Sequence, residues 1–520
     1  MRKLLLASAA MLGATSGLAF AQNTGIPPAP NPSQGQFVGP FGAGPAANNN
    51  NNSWGIANTP TGSVSAGPLS TIYAPNVTAV PTPGTVVIRL NGRVEVDMSG
   101  VWTSADRSVN TAGVPTGYKV NPLGISSYLR LYPGFDGVSS NGLRYGASAE
   151  IRTNFGVADR SWPLPTGVAN ATGLGAGVAN GPSANNTQQT LYVRRAFTYI
   201  ASDKVGLFRF GLGDGVLGLF DNCIFTSQCW DGGIGNFNGG GTQAVAPTGG
   251  VGIPFVWLAQ AGAEYDNTKI VYLSPQYYGF DFGAQYAPNM GNTYQMTGAG
   301  VGCNQAGPNC IAVTSGNDAT RWYNQVAFGL RFQQTFGAVD FKAYGYYQTA
   351  GKESLTTSAY VSPSPTANPL NLRYDNLSFY KFGTAITAMN TTFAFDYIGG
   401  AINGQLQMRP SGGVNMNAFV TGITYANGPI TLGIEYGNVQ SQGAPGLTGL
   451  SQRNEQEFAV GGVYRVAPGL ALAGEYMYTF RHQGGFNFNT GTVGVIPGST
   501  RLSTSNGQGQ GVVLSTILTW

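Results

Sequence analysis

Apolar and polar side chains alternate along residues 88–102 of this chain of 520 residues. The apolar members are Ile88, Leu90, Val94, Val96, Met98 and Trp102, and the polar members are Arg89, Asn91, Arg93, Glu95, Asp97 and Ser99. A helix would mix the two sets on its surface, whereas a strand points them to opposite faces. The alternation therefore predicts a β-strand with one apolar and one polar face.

The same alternation returns along the chain and predicts about sixteen strands of the length that a tilted membrane strand needs. It is clear in residues 143–155, 430–436 and 470–481. Residues 374–389 and 391–407 alternate poorly, which leaves the count open by about two strands.

Short and long connections between these strands also alternate. Residues 201–204 form a short connection, and residues 156–190 and 214–262 form long ones. A soluble β-sandwich has no reason for this pattern, whereas an outer-membrane barrel has short periplasmic turns and long outer loops. We therefore predict an all-β fold, a transmembrane antiparallel β-barrel with short periplasmic turns and long extracellular loops.

The composition agrees with a barrel. Charged residues make up only 9% of the chain, against about a quarter in an ordinary soluble domain. No stretch beyond the N-terminus is apolar for long enough to form a transmembrane helix. A closed barrel pairs all of its backbone groups in lipid and needs apolar side chains only at alternate positions.

The first 21 residues have the order of a cleaved secretory signal peptide, with basic Arg2 and Lys3, an apolar stretch and a small-x-small site ending at Ala21. Cleavage removes Arg2 and Lys3, so the mature chain has 24 of the 26 basic residues and all 22 acidic residues. This near-neutral charge argues against nucleic acid as a partner and predicts weak ion selectivity. Residues 22–84 are a Pro/Asn/Gly-rich extension, predicted to be disordered or loosely packed in the periplasm or the lumen.

The cysteines lie in two long connections, Cys223 with Cys229 and Cys303 with Cys310. Even numbers in an exported chain predict disulfides, here two loop staples, although four cysteines allow three connectivities. Redox chemistry is less favoured because neither pair is Cys-x-x-Cys. The only histidine is His482, far away in sequence, so we expect no metal and no cofactor.

Enzymatic motifs are weak. Residues 213–218 fit the dinucleotide-binding glycine pattern, but a following helix and parallel strand are not expected. One histidine removes most acid–base triads, so we predict no enzyme and no catalytic residues. Four tyrosines near predicted strand ends are predicted to belong to the membrane-interface girdle, with a sugar-stacking track as the alternative. They are Tyr132, Tyr286, Tyr436 and Tyr478.

The C-terminal strand carries apolar residues on one face and ends on an aromatic residue. The residues are Val512, Leu514, Leu518 and Trp520. This ending resembles the signal read by the barrel assembly machinery.

Three segments resemble the general trimeric porins of Gram-negative bacteria, namely 88–96, 142–152 and 194–197 leading into 206–211. The likeness in layout covers residues 85–520. It implies a sixteen-stranded barrel, a homotrimer among outer-membrane lipid and lipopolysaccharide, and a third outer loop folded inward near 214–262. It also implies a water-filled pore for small hydrophilic solutes and ions.

In that family, acidic residues of the third loop face a basic cluster on the opposite wall. The candidates on the loop are Asp214, Asp221 and Asp231. The candidates on the wall are Arg89, Arg93, Arg130, Arg144, Arg152, Arg194 and Arg209. Opposed charges in a narrow passage order water and favour dipolar solutes. The alternative is that these are ordinary solvated lumen charges, and the loop has no close match to the family's short acidic signature.

Two rival functions remain open at this stage. One is a substrate-selective porin, for instance for sugars. The other is a structural or adhesive barrel whose pore is plugged by the N-terminal extension.

Overall fold

The structure is a computed structural model. It describes residues 83–103, 107–109, 115–119, 122–155, 191–202, 204–213, 215–220, 261–262, 267–275, 277–289, 322–352, 374–404, 408–443, 452–467, 470–487, 492–493 and 506–520, with the short pairs 47–48 and 59–60. No helix within these ranges is long and apolar enough to cross a membrane.

Sixteen strands in the described ranges form one closed antiparallel barrel, in agreement with the prediction. They are β1 (Thr85–Thr103), β2 (Leu123–Val138), β3 (Arg144–Phe155), β4 (Leu191–Ser202), β5 (Gly206–Leu212), β6 (Thr268–Leu273), β7 (Phe280–Asn289), β8 (Trp322–Phe336), β9 (Val339–Lys352), β10 (Leu377–Ala388), β11 (Thr391–Ala401), β12 (Met416–Asn427), β13 (Ile430–Ser441), β14 (Arg453–Ala467), β15 (Leu470–His482) and β16 (Gly507–Thr519). One short helix, α1 (Val216–Phe220), follows β5.

Each strand pairs with its neighbour in sequence, and β16 pairs with β1 to close the barrel. Short connections such as 337–338 and 428–429 alternate with long ones such as 156–190 and 213–267. All short connections therefore share one rim and all long connections share the other. By the usual asymmetry of these barrels, the short rim is periplasmic.

The two faces of each strand differ as the alternation predicts. On β13, Ile434 is 41% exposed on the outer face, whereas its neighbour Glu435 is 1% exposed on the lumen face. Outward rings form a contact chain in which the Phe208 and Tyr272 centroids lie 4.8 Å apart and those of Tyr272 and Phe282 lie 5.6 Å apart. Such an outer band suits contact with lipid.

The prediction that four tyrosines belong to the membrane-interface girdle is wrong for one of them. Tyr286, Tyr436 and Tyr478 are exposed on the outer face, but Tyr132 is buried. Tyr132 lies at the same alternation as buried Asp136 on β2, so it belongs to the lumen face rather than to the membrane interface.

The poor alternation around residues 374–407 has a physical reason. Strands β10 and β11 are present, but their lumen faces carry apolar side chains such as Leu377, Phe379 and Ile398, all buried in the interior apolar cluster. Both faces therefore read as apolar. A two-residue turn joins these strands, and both of its residues have positive φ, 49° at Met389 and 64° at Asn390, as a tight hairpin turn requires.

The C-terminal strand has the predicted arrangement, with Val512, Leu514, Leu518 and Trp520 exposed on the outer face. Trp520 also takes part in closure, because its backbone N–H and C=O exchange two 3.1 Å hydrogen bonds with Gly92 of β1.

Candidate functional site

The third long connection, residues 213–267, contacts the lumen wall. It begins with α1, in which Val216, Leu217 and Phe220 are all buried. They belong to the same apolar cluster as lumen-facing residues of β8 to β13. The described start of this connection is therefore folded into the barrel.

Polar side chains of the wall hold both described ends of this connection. Lys269 Nζ donates to the carbonyl of Gly213 at 2.8 Å, and the backbone N–H of Val216 donates to Gln285 Oε1 at 2.6 Å. At the other end, the carbonyl of Gly262 accepts hydrogen bonds from Gln325 Nε2 at 3.0 Å and Gln348 Nε2 at 3.3 Å.

The helix also covers a buried ion pair on β7 and β8. Arg331 donates two hydrogen bonds to Asp281, at 3.0 Å and 2.5 Å, and both side chains are almost fully buried. The Arg331 guanidinium carbon lies 4.6 Å from the centroid of the Phe220 ring. Helix α1 thus packs on a guanidinium whose charge is neutralised by Asp281, and the flat guanidinium stacks against the Phe220 ring.

Three of the predicted wall arginines lie in one row. The strand register pairs Arg93 with Arg130 and Arg130 with Arg152, across β1, β2 and β3. Directly paired residues of antiparallel strands share a face, and this row has the alternation of the buried residues Glu95 and Glu150. Positions 93, 130 and 152 therefore follow the lumen-facing alternation of these strands, and a basic row formed by their side chains stays a prediction.

The remaining wall candidates differ in their placement. Arg209 lies on the lumen face of β5, is 2% exposed, and stacks over Phe197 at 4.6 Å. Arg144 begins β3 and is half-buried. The side chains of Arg89, Arg93, Arg130, Arg152 and Arg194 lie outside the described part of the chain.

The predicted loop carboxylates also lie outside the described residues. This applies to Asp214, Asp221 and Asp231, and to the cysteines Cys223, Cys229, Cys303 and Cys310. Their opposition to the basic row and their disulfide pairing stay predictions.

Sequence reasoning missed Arg195 and named its neighbour Arg194. Arg195 is buried in a salt bridge with Glu150 on β3. The register pairs Glu150 with Arg195 but Ile151 with Val193, so a β-bulge at this point shifts the alternation by one residue. Arg195 lies at the same alternation as buried Phe197 and Tyr199 on β4. This alternation could have identified Arg195 as a lumen-facing residue, but it is hard to see in the sequence because the inner face of β4 is mostly apolar.

Two lumen-facing lysines were also missed. Lys342 and Lys381 on β9 and β10 flank the ring of Tyr344, with Nζ at 5.7 Å and 5.8 Å from its centroid. Lys381 also lies 3.5 Å from Asp396, which accepts a 3.0 Å hydrogen bond from the Tyr344 hydroxyl. Buried carboxylates occupy another sector, at Glu435, Glu457 and Glu475 on β13 to β15. The described wall therefore carries carboxylates on β13 to β15 as well as carboxylates paired with cations elsewhere, as in Lys381–Asp396 and Arg331–Asp281.

Helix α1 begins inside the glycine pattern at 213–218 and has only five residues. The strands on either side of it, β5 and β6, are antiparallel, so the parallel pair that a dinucleotide site needs is not formed by them. Within the described residues, no group of three or more His, Cys, Asp or Glu side chains could hold a metal ion.

Comparison with known proteins gives one family match. The family described as "Gram-negative porin" matches residues 7–483. No curated protein matches the chain. The chain is similar in structure to OmpT of Vibrio cholerae, with 11% identity, coverage of 85% of this chain and 100% of that one, and a TM-score of 0.43. It is also similar to an anion-selective porin from Comamonas acidovorans, with 12% identity, coverage of 84% and 100%, and a TM-score of 0.44.

Proposed function

Since the chain belongs to the Gram-negative porin family and is an outer-membrane porin channel, we propose that it passes small hydrophilic solutes and ions by passive diffusion. The observation that carries this proposal is the contact of both described ends of the third long connection with the lumen wall. A loop held against the inner wall of a closed barrel narrows its passage. Family and fold point to a channel rather than to an enzyme.

The solute filter is proposed to be electrostatic. The register row of Arg93, Arg130 and Arg152 supports a row of basic residues on β1 to β3. Buried carboxylates such as Glu95 and Asp136 lie on the same strands. Asp214, Asp221 and Asp231 are the carboxylates that we assign to the facing loop. Charges of opposite sign across a passage orient water, and an apolar solute gains nothing from that field.

We assign the assembled form to a homotrimer in the outer membrane, among lipid and lipopolysaccharide. In support, the outer face around the closure of the barrel carries the highly exposed aliphatic side chains of Ile88, Leu90 and Ile125. The outer face of β5 to β8 is instead rich in rings such as Phe208 and Phe282. An exposed aliphatic sector suits packing against a second copy, whereas rings suit the membrane boundary.

Export is proposed to use residues 1–21 as a cleaved signal peptide. Insertion is proposed to use the outward residues Val512, Leu514, Leu518 and Trp520 as the signal for the barrel assembly machinery. The extension 22–84 is proposed to be separate from the barrel of residues 85–520.

The test is the conductance of the purified mature protein in a planar bilayer under a salt gradient. We expect current steps in groups of three and a reversal potential near zero, because the mature charge is nearly balanced. A reversal potential that strongly favours one ion sign would contradict weak selectivity. Saturable block by a sugar would indicate a substrate-selective porin instead.

A silent bilayer from a folded barrel would contradict open diffusion. Deletion of residues 22–84 then distinguishes a barrel that is plugged by this extension from a structural barrel. Conductance that appears only after the deletion indicates a plugged barrel, and continued silence indicates a structural one.

A further inference from the structure

Two glycines on the lumen wall lie directly opposite each other beneath α1. Gly283 of β7 and Gly329 of β8 are register partners. Each lies two residues from a member of the buried ion pair Asp281–Arg331, and therefore on the same lumen face of its strand. Side by side, they leave a patch of wall without side chains.

Helix α1 occupies this patch closely. A Cβ added at Gly283 would lie 2.8 Å from Val216 Cγ1, and a Cβ added at Gly329 would lie 2.7 Å from the same atom and 3.0 Å from Phe220 Cδ2. Carbon atoms in ordinary contact lie about 3.5–4.0 Å apart. Since Val216 is β-branched and stiff at χ1, the helix rather than a rotamer would have to move.

We propose that Gly283 and Gly329 are positioning residues that set the width of the passage by letting α1 sit against bare backbone. The proposal rests on the proposed channel function. The hydrogen bonds from Lys269 and to Gln285 hold the start of the connection against the wall, and the glycine pair decides how near to the wall it lies. Any larger residue there moves α1 toward the centre of the lumen.

The test compares single-channel conductance of the full mature protein with those of Gly283→Ala and Gly329→Ala. We expect each variant to conduct roughly 1.2- to 1.5-fold less, because restoring ordinary carbon spacing moves α1 by about 1 Å into the passage. Gly345→Ala is the matched control, since Gly345 lies on the outer face of β9 with no atom within 4 Å of an added Cβ. It should conduct as the wild type does.

Rescue separates positioning from general damage. Val216→Ala removes the atom nearest to both added carbons, so combining it with Gly329→Ala should restore most of the lost conductance. The 3.0 Å approach of the added carbon to Phe220 Cδ2 remains and accounts for the rest. Where an alanine variant does not fold, Val216→Ile over intact glycines should lower conductance in the same way.

The outcomes are distinguishable. Wild-type conductance in both glycine variants, or a loss that Val216→Ala does not restore, would overturn the glycine assignment while the channel function stands. A silent wild-type protein would contradict the channel function itself, and this inference with it.

Discussion

At the residue scale, the Arg331–Asp281 pair shows how charge is kept inside this barrel. Both side chains are 4% exposed, two hydrogen bonds join them, and Phe220 covers the guanidinium. Burying two charges is costly, and the pair is tolerated because each partner satisfies the other. Removing one partner leaves a buried charge without its counterion.

Arg331→Met is therefore expected to lower the free energy of unfolding by about 3–5 kcal/mol, the usual cost of breaking a buried pair. Urea unfolding in lipid vesicles measures this. The control is Arg331→Met combined with Asp281→Leu, which removes both charges and should recover most of the loss. A single variant as stable as the wild type would contradict a compensating role for the pair.

At the element scale, four long connections are joined at one rim. The backbone N–H of Asp375 donates to the carbonyl of Arg409 at 2.9 Å, and Arg409 Nη2 donates to Asp375 Oδ2 at 2.6 Å. Asn403 exchanges two hydrogen bonds with Gly443, at 2.8 Å and 2.7 Å. Gln483 Nε2 donates to the carbonyl of Gln442 at 3.0 Å. Hydrogen bonds between described residues therefore link these four connections (353–376, 402–415, 442–452 and 483–506) to one another at the rim.

Acid is expected to loosen the first of these contacts. Burial raises the pKa of the Asp375 carboxyl, but hydrogen bonds from Arg409 and Ser411 and the charges of Arg409 and Lys352 hold the pKa below its ordinary value of 3.8. With the pKa depressed in the folded state, the stabilisation is complete above the ordinary value and is lost as pH falls through the folded value.

Hydrogen exchange at the Asp375 amide, corrected for intrinsic rate, measures this effect. Protection should be constant above pH 3.8 and fall below it. Asp375→Asn should abolish the pH step and lower protection at all pH values. A pH step that persists in this variant would assign the effect to another group.

At the scale of the whole molecule, closure depends on a contact between the two ends of the barrel. Trp520 hydrogen-bonds to Gly92, and its ring lies over that glycine, where an added Cβ would be 2.1 Å from Trp520 Cζ2. No side chain larger than hydrogen fits there without displacing the ring. The last residue thus seals the seam between β16 and β1.

Gly92→Val is expected to lower the yield of closed barrel and its thermal midpoint, with a cost of about 1–3 kcal/mol, as for overpacking elsewhere. The electrophoretic mobility of unboiled protein over a temperature series measures both quantities. Gly345→Val places the same residue on the outer face of the barrel in open space and should behave as the wild type. Equal thermal midpoints for Gly92→Val and Gly345→Val would contradict a role of Gly92 in closing the barrel.

The two-residue alternation of apolar and polar side chains, together with the lengths of the connections, was sufficient to predict the barrel architecture. Alternation in residues 88–102 predicts one apolar and one polar face, and its recurrence predicts about sixteen strands. The alternation of short and long connections predicts a membrane barrel, and the barrel closes with sixteen strands. Both are properties of chain neighbours, because lipid on one side and a polar lumen on the other act on every strand alike. The outward face of the C-terminal strand followed for the same reason.

The tertiary structure alone decided what fills the lumen. A bulge between β3 and β4 falls at residue 194, next to Arg195, which pairs with Glu150. Gly283 and Gly329 meet under a helix that lies far from them in sequence. A period of two residues gives the faces of a strand, but it carries no information on bulges or on which segment packs over which glycine. Those features depend on contacts between residues that only the closed barrel brings together.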